Sequence, residues 1–407
     1  MPRVVQKYGG SSVADAARIR HVAKRVAARA ERGDDVVAVV SAMGDTTDEL
    51  IALAQGVTEQ PQPREMDVLL STGEVVSSTL LSMALHDLGR SAVSLSGAQA
   101  GIRTDAVYGR ARIAAIDTTR LERELAAQRV VIVAGFQGAS ADFDVTTLGR
   151  GGSDTTAVAL AVALDAGDCE IYTDVAGVYT ADPRICPRAR PLHDISYDEM
   201  LELASTGARV MHSRAVEVGA LYDMEIRVAS SFDESAPGTL IHRETTMEQA
   251  SKVRGIAHQN RIAKVTVRGV PDRPGIAARV FEPLADANIS IDTIVQNASV
   301  EELTDLTFTV DRADLEGAVR LVEGTMLEMG AREVVSDADL GSVSIVGGGL
   351  ATSPGYAALM FRTLYKHEIN IELISTSEIR ISCIVRAAQV TDAVRALHDA
   401  FELDRED

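Results

Sequence analysis

Two glycine strings in this chain carry residues suited to anion chemistry: Lys7-Tyr8-Gly9-Gly10-Ser11-Ser12 and Leu148-Gly149-Arg150-Gly151-Gly152-Ser153-Asp154. Adjacent glycines let the backbone close on an anion and turn its N–H groups toward it. Lys7 would set a point charge on a phosphate, and Arg150 offers a planar fork that matches a carboxylate. Asp154 would cap the following helix or orient the substrate end of a site. Neither string is a Walker loop, since Lys7 precedes its glycines. One such string alone reads as a plain strand-to-helix turn; two in one chain are more specific.

Three further strings are weaker by themselves. Ser41-Ala42-Met43-Gly44-Asp45-Thr46-Thr47 follows a short apolar run, and ligands of open α/β sheets bind at the carboxyl ends of strands. The bland alternative is helix capping by Asp45 or Thr47. Leu70-Ser71-Thr72-Gly73-Glu74 opens an apolar stretch, where Glu74 could pair with a ligand ammonium or merely serve as a first-turn acid. Tyr172-Thr173-Asp174, running on to Tyr179, Asp182, Pro183 and Arg184, offers a ring face and polar groups for a nucleotide, or an ordinary surface turn.

What must position these strings is an alternation of elements. Apolar runs at Val4–Lys7, Val36–Ser41, Val130–Gly135 and Cys169–Thr173 alternate with helical patterns at Ala14–Arg32 and Asp154–Asp165. That order predicts βαβ units around a largely parallel sheet covered on both faces. The strings then fall at the ends of strands. Residues 1–232 are expected to form this domain, and 233–251, rich in mixed charge and with Ala236-Pro237-Gly238, a linker.

Beyond it lies an internal repeat. Asp272-Arg273-Pro274-Gly275-Ile276-Ala277-Ala278 matches Thr352-Ser353-Pro354-Gly355-Tyr356-Ala357-Ala358, and Asn288–Asp292 matches Glu368–Glu372. Pro274 and Pro354 stand 80 positions apart, as do Ile289 and Ile369, so the register holds across the intervening helix. The second copy has no closing strand after Val390–Phe401, whereas the first has one near Arg332–Val335. The segment 252–257 is expected to supply it. The domains are then 264–336, and 252–263 with 337–407.

Composition bounds the reading. The 407 residues are 46% hydrophobic and 24% charged, ordinary for a globular chain, so no disulfide staples are required. Trp is absent, so the cores must be built from Val, Ile, Leu and Ala. The net charge of −19 argues against nucleic acid or an anionic membrane as partner. The three cysteines, Cys169, Cys186 and Cys383, show no metal spacing and fit a reduced cytoplasmic setting. No targeting segment or membrane-length apolar run is expected.

Taken together, Lys7–Ser12, Val40–Thr47, Ser71–Glu74, Gly149–Asp154 and Thr173–Arg184 closely resemble the aspartate kinases of the amino-acid kinase family, in the family's order and spacing. The two repeats resemble ACT regulatory domains, and Leu373–Ser382 is similar to aspartate-kinase ACT sequence in particular. The resemblance covers nearly the whole chain.

It implies a three-layer αβα sandwich followed by two ferredoxin-like βαββαβ domains. The implied reaction is phosphoryl transfer from ATP, with Mg2+, to the side-chain carboxylate of L-aspartate, the first step toward lysine, threonine and methionine. A carboxylate acceptor is already ionised at neutral pH, so no general base is required. By resemblance, Lys7, Arg150 and Asp154 are catalytic, with Gly9, Gly10 and Ser11 at the phosphates. Ser41, Thr47, Glu74, Arg150 and Ser153 would bind aspartate, Glu74 through its ammonium. Thr173, Asp174, Tyr179, Asp182, Arg184 and Arg209 would hold the nucleotide. Effector amino acids, lysine and/or threonine, are implied at Asp272, Gly275, Ile276, Ala277, Asp292, Gln296 and Asn297, and at Ser353, Gly355, Asn370, Thr376 and Glu378. A homo-oligomer joined through the ACT domains is implied, with Met247 as an internal start for a separate regulatory subunit.

The chain departs from the family pattern at Ala176, where Asp is usual, and near Arg209 and Ser213, where Lys and Pro are usual. Those changes bear on nucleotide affinity. Two rival readings are a kinase of the same fold acting on glutamate, acetylglutamate or a nucleoside monophosphate, and a non-catalytic amino-acid sensor. The Arg150/Glu74 pair and the repeats weigh against the first, and intact Lys7, Arg150 and Asp154 against the second.

Overall fold

The structure, a computed structural model, describes residues 2–208, 210–243, 253–297, 302–350 and 353–405. Its contacts divide the chain into two compact units. The first comprises Met1–Tyr179, Pro191–Ser205 and Arg209–Met247, the second Thr180–Arg190, Thr206–Ala208 and Glu248–Asp407.

The first unit is built on an eight-stranded sheet. Its order is Asp194–Ser196, Thr239–His242, Ile226–Ser230, Asp168–Thr173, Arg3–Tyr8, Asp35–Val40, Val130–Ala134, Ala92–Leu95. Every pairing is parallel except Ile226–Ser230 with Thr239–His242. Thr239–His242 lies in the span expected to be a linker; it is a sheet strand, and Thr239 and Ile241 are fully buried. Four residues beside Pro and Gly were too short a run to show periodicity.

Val4, Tyr8, Val36, Ala38 and Val40 share a core with Ile19, Val22, Ala23 and Val26 of the helix Ala16–Glu31 and with Leu81 and Leu85 of the helix Pro63–Asp87. The helix Ala16–Glu31 starts where Asp15 accepts hydrogen bonds from the amides of Ala17 and Arg18. Side chains alternate along a strand, so Val5, Val37 and Val39 point the other way. The helix Gly152–Ala163 packs on those strands, giving a layer of helix on each side of the sheet.

The helix Pro63–Asp87 is long and apolar enough to cross a membrane by length and composition, which the sequence reading did not expect. Its polarity is inverted up to Ser78, ahead of the core residues Leu81 and Leu85. Asp67, Ser71, Glu74, Ser77 and Ser78 are buried, while Val68, Val75, Val76, Leu80 and Met83 are exposed.

A second, four-stranded sheet, not foreseen from sequence, orders Ile113–Ile116, Ile102–Thr104, Gln137–Ala139 and Val145–Thr147. Its strands are three or four residues long. It delivers the chain into the string Leu148–Asp154.

The second unit carries one six-stranded antiparallel sheet. Its order is Ile294–Gln296, Leu303–Asp311, Gly255–Pro271, Glu333–Val346, Arg380–Arg386, Leu373–Thr376. Two long central strands serve both repeats: Ile262–Pro271 pairs with Leu303–Asp311, and Gly255–Gln259 pairs with Ser342–Val346. The repeat is visible in the helices, Ile276–Asp286 and Tyr356–Lys366, each opened by a glycine with left-handed φ, +91° at Gly275 and +116° at Gly355. After them the copies diverge, since the second reaches its next short helical turn at Ala387–Gln389 and the first at Arg312–Asp314. The first repeat's core gathers Val265, Val267, Val280, Leu284, Phe308 and Val322, the second's Val343, Ile345, Met360, Leu364, Cys383 and Leu397. All three cysteines are buried thiols.

Candidate active site

Four of the five strings meet at the carboxyl ends of the central strands of the first unit. The strand Arg3–Tyr8 ends in Gly9, whose amide donates to the carbonyl of Tyr172 at 3.3 Å. A single 3-10 turn, Gly10–Val13, follows, and the helix begins only at Ala16. The helix N-terminus expected directly after the glycines is therefore taken up by Asp15. At Gly10 a β-carbon would stand 2.9 Å from the carbonyl oxygen of Ala42 and 3.2 Å from that of Gly44, so only glycine fits there. The Gly44 amide donates to the Gly10 carbonyl at 3.1 Å, and the Ser41 amide to that of Tyr8 at 3.1 Å. The first and second strings are thus laced backbone to backbone. Ser12 Oγ meets Ser231 Oγ at 2.8 Å, and Ser231 donates to the carbonyl of Thr173.

Lys7 Nζ lies 2.6 Å from Asp154 Oδ1, joining the two glycine strings. Asp154 Oδ2 accepts the amide of His212 at 3.3 Å. Ser153 is buried against Gly135, where a β-carbon would fall 2.9 Å from its hydroxyl.

Glu74 stands in the middle of the helix Pro63–Asp87, not at its start. The start of the helix was hidden because Arg64, Glu65 and Asp67 break the apolar pattern over its first two turns. Its side chain is 3% exposed; Oε1 accepts the amide of Ala42 at 3.2 Å, and Oε2 has no partner among the described residues. Burial pushes its carboxyl up to about 7. Ser77 donates to the carbonyl of Ser41 at 2.7 Å, so the same helix fixes both ends of the Ser41-Ala42 step. Thr47 lies in the first turn of the helix Thr46–Val57, which has no side-chain cap.

Arg150 is not gathered in. Its side chain is 90% exposed, and its nearest carboxylate is Asp48, at 3.9 Å. The loop around it is nonetheless rigidly framed. Gly149 and Gly151 have φ of +79° and +69°, and a β-carbon at Gly151 would overlap the ring of His212. Thr173 donates to Asp174 at 3.1 Å, and Tyr179 pairs with Pro191 at the unit's margin. Asp182 and Arg184 bind each other at 2.7 Å on the segment grouped with the second unit. Arg209 and Met247 lie outside the described residues.

Sequence reasoning missed Asp67, His212 and Arg214. Asp67 accepts from the Gly109 amide, the Thr147 amide and the Thr147 hydroxyl. His212 caps the helix Ser213–Tyr222, and burial depresses its imidazole. Arg214 donates to the carbonyls of Leu148 and Ala111. The partners of Asp67 and Arg214 are groups far away in sequence, which leave no local pattern, while His212 is a local cap that the sequence reading passed over. The only signal was the spacing of Asp67 and Glu74, two turns apart on one helix face.

Among the effector candidates, a β-carbon on Gly275 or Gly355 would meet no described residue within 4 Å. Asp272, Ala277, Gln296, Thr376 and Glu378 are exposed. Asn297 accepts the hydroxyl of Thr304 through its carbonyl, and Asn370 lies 3.5 Å from Glu372. The amide of Asp292 donates to the carbonyl of Thr309 at 3.1 Å, and Ser353 is half-buried. Ile276 departs from that set, since its side chain is buried in the core of the first repeat.

The model of the amino acid kinase family matches residues 2–230, and ACT domain models match 265–324 and 343–401. The aspartokinase of Pseudomonas aeruginosa is 51% identical over 407 residues, covering 99% of this chain and 98% of its own. The chain belongs to the aspartokinase branch of the amino acid kinase family.

Solved structures of that family agree in fold. Aspartokinase III of E. coli in complex with aspartate and ADP superposes with a TM-score of 0.84 at 28% identity, over 98% of this chain and 99% of the other. The same enzyme in complex with lysine and aspartate gives 0.71 at 28% identity, over 97% and 98%. Within this chain Lys7 is joined to Asp154, Glu74 to Ala42 and Gly10 to Gly44 at the ends of the central strands.

Proposed function

We propose that the chain transfers the γ-phosphoryl group of ATP to the side-chain carboxylate of L-aspartate, giving 4-phospho-L-aspartate. The observation that carries this reading is Glu74: a buried carboxylate, one oxygen held by the Ala42 amide and the other without a partner among the described residues, suits a ligand ammonium. Family membership supplies the reaction class, and the aspartate and ADP held by E. coli aspartokinase III supply the substrates by likeness.

In this reading Lys7 leaves Asp154 to neutralise the transferring phosphoryl group, and the Gly9 and Gly10 amides face the phosphates. Asp154 then orients Lys7. Arg150 swings from solvent onto the aspartate carboxylate, while Ser41, Thr47 and Ser153 bound the substrate. The chemistry is positioning and charge neutralisation, with no proton to abstract. Mg2+ would come in with ATP and would supply charge neutralisation at the phosphates. Ser11, Thr173, Asp174, Tyr179, Asp182, Arg184 and Arg209 are the proposed nucleotide residues.

Lysine and/or threonine are proposed as feedback effectors at the Gly275 and Gly355 turns, where a helix start suits a carboxylate. The proposed ACT domains are residues 264–336, and 252–263 with 337–407, which form the contact of a homo-oligomer. Initiation at Met247 for a separate regulatory subunit, and a cytoplasmic location, complete the proposal.

The test is formation of aspartyl phosphate, trapped as hydroxamate, from ATP, magnesium and L-aspartate, with and without lysine and threonine. Product from aspartate and not from glutamate supports the reading. Folded protein that makes none refutes it.

A further inference from the structure

We infer that Asp67 is a positioning residue for Arg150, acting through the backbone that leads into the glycine loop. The inference rests on the reading of Arg150 as the aspartate-carboxylate ligand. Asp67 is 1% exposed. Its oxygens accept the Thr147 amide at 2.8 Å, the Thr147 hydroxyl at 2.7 Å, and the Gly109 amide at 2.9 and 3.0 Å.

Thr147 is the last residue before Leu148-Gly149-Arg150, and Gly109 lies directly under Gly149. A β-carbon on Gly149 would meet the Gly109 carbonyl at 3.1 Å. Asp67 therefore fixes, through amides, both the chain entering the loop and the chain beneath it. Arg214 fixes the same two segments through carbonyls, those of Leu148 at 2.7 Å and Ala111 at 3.0 Å. The Ala111 amide closes the frame on the Thr147 carbonyl at 2.9 Å. On the far side His212 packs against Gly151.

Arg150 is thus an exposed side chain on a clamped backbone. Its swing onto a carboxylate starts from a set peptide orientation, so little backbone ordering remains to be done on binding. Charge-assisted bonds to a buried carboxylate are the strong kind, and losing the charge leaves donors unsatisfied. Asp67 also shares its helix and its buried face with Glu74. One element would then set both proposed contacts to aspartate, the ammonium directly and the carboxylate through the loop.

The experiment is a double-mutant cycle on the full chain: Asp67→Asn, Arg150→Ala and the pair, each assayed for KM of aspartate, KM of ATP and kcat. Asp67→Asn is expected to raise KM for aspartate about tenfold while KM for ATP moves less than about twofold, and to add less than about twofold when Arg150 is already Ala. Thr147→Val, which removes one bond and keeps the fold's shape, is expected to shift KM for aspartate in the same direction by about two- to threefold, and it stands in if Asp67→Asn does not fold. A proportional rise in both KM values, or effects of Asp67→Asn and Arg150→Ala that multiply, overturns the role of Asp67. An unchanged KM for aspartate in Arg150→Ala overturns the reading of Arg150, and this inference with it.

Discussion

Lys7 Nζ and Asp154 Oδ1 are 2.6 Å apart, with side chains only 12% and 10% exposed. The pair links the end of the first strand to the first turn of the helix Gly152–Ala163. The cation proposed to meet the phosphates is partnered by Asp154. Under that proposal, nucleotide binding exchanges one anionic partner of Lys7 for another.

Substitution of either member separates binding from turnover. Lys7→Met is expected to lower kcat by at least about a hundredfold, because the transferring group loses its fixed cation. Asp154→Asn frees Lys7 for phosphate, so nucleotide affinity is expected to hold or improve while kcat falls by a similar factor. Isothermal titration with a non-hydrolysable ATP analogue, beside initial rates, checks both. A large loss of nucleotide affinity in Asp154→Asn would contradict this account.

Glu74 predicts a pH dependence whose sign is fixed. Its folded value, about 7, lies above the 4.5 of an unfolded glutamate, so its contribution favours folding below pH 4.5 and is lost as pH rises toward and through 7. Glu74→Gln is expected to stabilise the ligand-free protein above pH 7 by up to roughly 3 kcal/mol, at about 1.4 kcal/mol per unit. An ammonium ligand wants the ionised form, so KM for aspartate should fall as pH rises from 6 to 8 in the wild type and stay flat in Glu74→Gln. Urea melts and KM measured at four pH values decide it.

Gly151→Ala should damage the loop twice. The position needs a left-handed φ of +69°, and the new methyl would fall 2.3 Å from the His212 ring. A loss of about 2 kcal/mol or more is expected from these two effects. Gly109→Ala, with a φ of +76° but open space around it, should cost only the backbone part, about 1 kcal/mol. Denaturant midpoints of the two variants, compared at equal slope, check the difference.

Phe308 anchors the first repeat. It is fully buried and meets Phe281 edge to face at 5.4 Å between ring centres. Phe308→Ala is expected to cost about 3–5 kcal/mol. The exposed Val57→Ala should stay within about 0.5 kcal/mol of wild type. Calorimetry of the full chain reports both.

The legible parts of the molecule were those where local sequence and tertiary role coincide. Val36–Ser41 and Val130–Gly135 read as buried strands because both faces of that sheet are covered. The repeat was legible because Pro-Gly turns recur in register. Lys7, Gly10 and Asp154 stood in strings whose composition advertises anions. Thr239–His242 was not legible, being a four-residue strand in polar surroundings. The four-stranded sheet was hidden for the same reason. The midpoint position of Glu74 was missed because the helix around it buries its polar side and exposes its valines, reversing the pattern by which helices are found. Asp67 and Arg214 act on backbone atoms remote in sequence, which no spacing rule reports.

The helix Pro63–Asp87 can also be read as a ruler. Asp67 and Glu74 are seven residues apart, which is about 10.5 Å along the axis and close to two whole turns. Under the proposed roles, that length sets the separation between the anchor of the Arg150 loop and the carboxylate that would meet the aspartate ammonium. A single residue inserted between them would lengthen the ruler by only about 1.5 Å but turn one mark about 100° away from the other. The gauge would fail by rotation before it failed by length.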